Sequence, residues 1–119
     1  VSKRNGRVPV PDFPDYEVTK EGRVYKIRGV YAGNEIKSHV SHPYGYYKIK
    51  LTAPHGERVG IWLHRLVCRA FHGEPPVYND REAIVRHLDG DPSNNEAGNL
   101  RWGTKEENEA DKKKFYGGW

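Results

Sequence analysis

The sequence predicts an α+β domain, with antiparallel strands first and a strand–loop–strand–helix unit last. Three observations lead there. Tyr46 to Leu51 alternates, with Tyr47, Ile49 and Leu51 on one face and Tyr46, Lys48 and Lys50 on the other. Leu63, Leu66, Val67, Ala70 and Phe71 fall at i, i+3, i+4, i+7 and i+8, one apolar helical stripe. Residues 83–108 run from a short apolar segment through a loop of turn formers to a second short segment and a capped helix start.

The chain begins with residues 1–14, expected to be a basic flexible arm. Lys3, Arg4 and Arg7 carry charge there with no acid among the first ten residues. Pro9, Pro11 and Pro14 stiffen the second half of this stretch. The arm has no apolar segment of the kind a secretory signal needs. Residues 15–119 are expected to form a single domain: a β-rich part over 15–62, a helix over 63–72 and the terminal unit over 83–115.

Within the β-rich part, Tyr16 to Ile27 reads as a hairpin turning at Lys20-Glu21-Gly22. The alternating strand from Tyr46 to Thr52 turns at Pro54-His55-Gly56 and pairs antiparallel with Arg58–Trp62. The amphipathic helix follows, with Arg65 and Arg69 four apart on its polar side. Gly73, Pro75 and Pro76 end it. Residues 77–82 read as a polar connection.

The terminal unit opens with Ala83-Ile84-Val85, ending at Arg86 and His87. Asp89, Gly90, Asp91, Pro92, Ser93, Asn94 and Asn95 make a turn-rich loop. Its acids are spaced like the start of a calcium loop, but Asn94 stands at the sixth position and Leu100 at the twelfth, where Gly and Glu are required. Leu100-Arg101-Trp102 is the second strand. Thr104 and Glu107 have capping-box spacing at the helix start.

Composition sets the outer bounds. The chain has 119 residues, 35% of them hydrophobic, and a mean hydropathy of −0.93, so its core is thin. Net charge is +4, compatible with a polyanionic partner. Cys68 is the only cysteine, so no intramolecular disulfide and no multi-cysteine zinc site can form. That usage suits a reducing cytoplasm. No stretch is apolar enough to predict a membrane span.

His87, Asn99 and Asn108, with the string HLDGDPSNNEAGNLRWGT over residues 87–104, resemble the HNH endonucleases. The match is to their His-Asn-Asn variant, found in many phage and intron-encoded homing enzymes. The string His64-Arg65-Leu66-Val67 with Ala70-Phe71 resembles the same subfamily, and Tyr16-Glu17-Val18 with Gly22–Tyr25 resembles a β-module often beside such domains. The resemblance implies a ββα-metal finger (HNH), preceded by a small antiparallel β-module and one amphipathic helix. It also implies a DNA endonuclease using one divalent ion, Mg²⁺ or Mn²⁺, on double-stranded DNA.

The chemistry suits those residues. Phosphodiester hydrolysis needs an activated water and stabilisation of added negative charge. A neutral imidazole takes a water proton near physiological pH, which is the role expected of His87. The resemblance gives Asn99 the task of holding the loop and orienting His87. Asn108 offers an oxygen of the type Mg²⁺ accepts, and Asp111, three residues on, is a further candidate ligand. Arg86 departs from the family pattern, which usually has a metal-binding Asp there. An arginine cannot ligate a cation, so another acid, or phosphate and water, completes the shell, or Arg86 grips phosphate in an inactive site. Arg86, Arg65, Arg69 and Arg101, with Lys3, Arg4 and Arg7, are the expected DNA contacts.

One finger per chain favours a monomer that nicks. A non-catalytic DNA-binding module retaining the finger is the alternative. An RNA-binding role for Tyr44, Tyr46 and Tyr47 is weaker, because no RNA-binding string accompanies them.

Overall fold

A computed structural model describes residues 6–41 and 43–116. Strands β1 (Val8–Val10), β2 (Phe13–Val18), β3 (Val24–Lys26) and β4 (Glu35–Ile36) form one antiparallel sheet in that order. Strands β5 (His39–Ser41), β6 (Tyr46–Thr52) and β7 (Arg58–Trp62) form a second. Helix α1 (Leu63–His72) follows without a break. A short hairpin, β8 (Val77–Tyr78) with β9 (Arg81–Glu82), leads to the terminal unit: β10 (Ile84–His87), β11 (Leu100–Gly103) and α2 (Lys105–Tyr116).

The alternation in β6 does what its pattern requires. Ile49 and Leu51 are buried while Lys48 and Lys50 are exposed, and Lys48 lies opposite Trp62 across β7. Leu63, Leu66, Val67 and Cys68 are the buried stripe of α1. They meet Val18 and Val24 from the first sheet and Leu100 from the terminal unit in one core. Full burial of each such aliphatic side chain stabilises by about 1.5–3 kcal/mol. Burial pushes the Cys68 thiol up to about 12, so it packs as an inert small hydrophobe. Tyr16 ties the sheets together, its hydroxyl accepting from the Thr52 N–H at 3.1 Å.

Two expectations change. The arm expected over residues 1–14 contains strand β1, paired to β2 with Val8 opposite Val18, and Val8 and Val10 are buried. The reason is that β1 is an edge strand, where Pro9 can sit without breaking a ladder. The stretch expected as a plain connection, 77–82, is the β8–β9 hairpin. Asn79 and Asp80 turn it with φ of 50° and 64°, the left-handed pair that a two-residue hairpin loop needs. No helix among the described residues is long and apolar enough to cross a membrane.

The first sheet also touches the terminal unit directly. The Ala97 N–H donates to the Lys20 carbonyl at 2.7 Å. Gly22, at φ 88° in the same hairpin turn, lies so near that a Cβ there would stand 2.8 Å from the Asn95 carbonyl oxygen.

Candidate active site

Strands β10 and β11 pair antiparallel, Ile84 opposite Gly103 and His87 opposite Leu100. His87 therefore ends its strand where the loop begins. Its side chain is buried, and its Nε2 lies 3.0 Å from Asn95 Oδ1. An amide oxygen only accepts, so Nε2 is the donor in this bond. In a neutral imidazole that donates through Nε2, Nδ1 is the basic nitrogen.

Asn99 clamps the loop at three points. Its Oδ1 accepts from the Asp89 N–H at 3.0 Å. Its Nδ2 donates to Asp89 Oδ1 and to the Asn94 carbonyl, both at 2.9 Å. The Asp89 carboxylate also accepts from the Asp91 N–H and from Asn94 Nδ2. Burial pushes its carboxyl up, but the bonds from Asn94, Asp91 and Asn99 outweigh this and hold it below the usual range. The backbone closes the same loop, with Leu88 N–H on the Asn99 carbonyl and Gly90 N–H on that of His87.

Helix α2 starts at a reciprocal cap. Glu107 Oε1 accepts the Thr104 N–H at 2.8 Å, and Thr104 Oγ1 accepts the Glu107 N–H at 3.1 Å. Asn108 lies one residue further, half-buried. Asp111 is bound to Arg86 by a fork: Nε to Oδ2 at 2.8 Å and Nη2 to Oδ1 at 3.0 Å. Arg86 Nη1 stands 3.8 Å from Glu107 Oε2.

Tyr46, Trp62, His64 and His87 form an aromatic cluster, with the two histidine rings 5.4 Å apart. Burial first, then the proximity of His87 and Arg65, lowers the His64 pKa to about 3. His64 stays neutral, and its Nδ1 is buried with no hydrogen-bond partner among the described residues.

The expected DNA-contacting residues are dispersed. Arg65 pairs with Glu82, and Arg69 with Glu74 and Asp12. Arg101 donates to the Leu100 carbonyl at 2.7 Å and lies near His72. Arg7 stacks on the Tyr25 ring at 3.9 Å. Lys3 and Arg4 lie outside the described residues. A groove of about 490 Å³ runs between the β8–β9 hairpin and the start of α2, but neither His87 nor Asn99 lines it.

Two contributors are not legible in the sequence. Asn95 shows there only as half of an Asn pair, and His64 only as part of a helix motif. The buried ring and the buried amide find each other through the loop's closure, which no spacing encodes.

The donor set fits a hard divalent ion only in part. Asn108 supplies one neutral oxygen type, Asp111 is engaged by a guanidinium, and position 86 is cationic. Among the described residues no three His, Cys, Asp or Glu side chains converge to hold a metal.

Strand, clamped loop, strand and capped helix with an oriented histidine define a ββα finger of the HNH type. Comparison with known proteins agrees: residues 61–110 match the HNH endonuclease family. An uncharacterized HNH endonuclease of Acanthamoeba polyphaga mimivirus is 31% identical over 106 residues, 89% of this chain and 29% of that protein. The HNH homing endonuclease I-HmuI, solved in work on its DNA binding and cleavage, superposes with a TM-score of 0.70. It is 27% identical, covering 91% of this chain and 57% of that one. The chain thus spans under a third of the viral relative and little more than half of the solved one.

Proposed function

We propose that this chain is a DNA endonuclease that hydrolyses one phosphodiester per event and so nicks double-stranded DNA. The observation that carries the reading is the His87–Asn95 bond inside a loop clamped by Asn99. It orients the ring with Nε2 as donor, and Nδ1 is the nitrogen proposed to take a proton. A water gives its proton to Nδ1, its oxygen attacks phosphorus, the P–O bond to the leaving oxygen breaks, and that oxygen takes a proton from solvent water. General base catalysis of this kind contributes about 10²–10⁴-fold. The fold shared with a homing endonuclease that binds and cleaves DNA supports DNA as the substrate.

HNH nucleases generally use a divalent metal, and Mg²⁺ or Mn²⁺ is the ion proposed here. When bound it would neutralise charge on the phosphate. Asn108 is the protein oxygen proposed to hold it, with Asp111 second. Phosphate and water would supply the other ligands, as Mg²⁺ allows. One finger per chain argues for action as a monomer. Lys3, Arg4 and Arg7 are proposed to supply phosphate contacts, with Arg65, Arg69 and Arg101 beside the finger. The single buried cysteine fits a cytoplasmic site of action.

The alternative, a binding module that retains the finger without cleaving, is favoured by one observation. Arg86 stands where a ligand is expected and holds Asp111. Supercoiled plasmid incubated with and without Mg²⁺ or Mn²⁺ decides between them. The enzyme yields nicked circles that EDTA abolishes; the binding module yields shifted but intact plasmid. Linear product without a nicked intermediate contradicts the nickase.

A further inference from the structure

Arg86 is seated rather than merely tolerated. Its aliphatic stem crosses the backbone of β11 at Gly103. A Cβ on Gly103 would collide with Arg86 Cδ, stand 2.9 Å from Cγ, and stand 2.8 Å from Glu107 Oε1. The φ of Gly103 is not left-handed, so the glycine is needed there for room and not for its turn. Beyond Gly103 the guanidinium meets α2. Glu107 and Asp111 are four residues apart on that helix and so share a face. Asp111 takes the fork at 2.8 and 3.0 Å, the bidentate geometry that a lysine could not reproduce. The side chains are 24% and 13% exposed, so the pair is largely shielded from water.

A seated guanidinium changes what the finger can hold. It contributes no ligand, occupies both oxygens of the nearest carboxylate, and repels a dication that approaches Asp111. We propose that Arg86 in the Gly103 gap, forked to Asp111, keeps divalent ions off the free protein, so that an ion enters only together with a DNA phosphate. The ion pair itself ties β10 to α2. This deepens the nuclease reading of the same site. Its readouts are melting and ion binding, so a protein that never cleaves can pass them and one that cleaves can fail them.

The seat is tested by a double-mutant cycle in thermal melting. Gly103→Ala is expected to lower Tm in the wild-type background and to lower it much less beside Arg86→Ala, because the colliding stem is gone. Equal losses in both backgrounds overturn the seat. Ion binding is tested by Mn²⁺ electron paramagnetic resonance, with Asn108→Ala as the reference. Free wild-type protein is expected to bind no Mn²⁺ beyond that reference. Arg86→Asp is expected to gain a bound ion that is lost again in Arg86→Asp/Asn108→Ala. A short mixed-sequence duplex is expected to take up more Mn²⁺ with wild-type protein than with Asn108→Ala. A tightly bound ion on the free wild-type protein overturns the proposal, and so does a duplex complex that gains none.

Discussion

Gly22 packs on the Asn95 carbonyl, and Asn95 in turn holds the Nε2 proton of His87. The turn between β2 and β3 is therefore two contacts from the nitrogen proposed to take the proton. Gly22→Ala would put a Cβ 2.8 Å from that carbonyl at a φ of 88°, a backbone region that disfavours alanine. We expect it to cost at least about 1 kcal/mol of stability. We also expect it to reduce kcat for plasmid nicking while DNA affinity holds. Melting and nicking rates measured on one preparation check this. Unchanged kcat beside a lowered Tm would mean that the turn supports the fold but not the histidine.

His64 makes stability depend on pH. Its folded pKa is about 3 against an ordinary 6.5, because burial and the neighbouring His87 disfavour its charge. Between those values the unfolded chain binds a proton that the folded chain does not, so stability rises with pH across that window. The contribution is complete above about pH 6.5 and is lost as pH falls towards 3. The slope from this one group is at most about 1.4 kcal/mol per pH unit. Replacing His64 with Phe removes the titration and keeps a ring in the aromatic cluster. Urea unfolding at several pH values should then give a flatter acid limb than in the wild type. An unaltered limb assigns the acid sensitivity to another group, such as Asp89, whose carboxyl is held low.

The basic N-terminal residues are expected to act through phosphates. Neutralising Lys3, Arg4 and Arg7 together should weaken duplex binding similarly on unrelated sequences. It should also flatten the dependence of affinity on salt, by about 0.9 in log–log slope for each lost phosphate contact. Arg7 already stacks on Tyr25, so its share should be the smallest. Fluorescence anisotropy over a salt series measures both effects, and an unchanged slope makes these residues bystanders.

How much of the fold and site is legible in the sequence depends on the range of each interaction. The Thr104–Glu107 cap can be read from spacing because both partners lie within one helical turn. The β6–β7 pair can be read because alternation and a turn lie side by side. Strands β1, β8 and β9 are two or three residues long, too short to show a period. Prolines further conceal β1. The site divides in the same way. His87, Asn99 and Asn108 stand in one contiguous string, so their positions can be named without a structure. The Arg86–Asp111 fork joins residues twenty-five apart through the seating of α2 on β10, and in the sequence Gly103 stands only between a short strand and a capped helix start. Its real constraint is the arginine that crosses it, which requires the register of two strands to be known.

The most direct test of the mechanism is removal of the proposed base. In the wild type, Asn95 holds the His87 ring through Nε2, and Nδ1 is the nitrogen proposed to take a proton. Alanine offers no such nitrogen. His87→Ala should therefore lose about 10²-fold or more in nicking rate. DNA affinity should hold, because a neutral imidazole adds little to phosphate binding. A binding module predicts a different pattern, with no nicking in either protein and equal affinity. Burial of His87 adds a structural risk, since truncation leaves a space between Tyr46 and His64. His87→Gln fills more of that space and can still donate to Asn95 Oδ1, but it has no basic nitrogen. If the role is general base catalysis, both variants lose activity to a similar degree. If the ring only packs, His87→Gln retains most of it. Wild-type nicking by either variant, purified free of host nuclease, removes His87 from the chemistry.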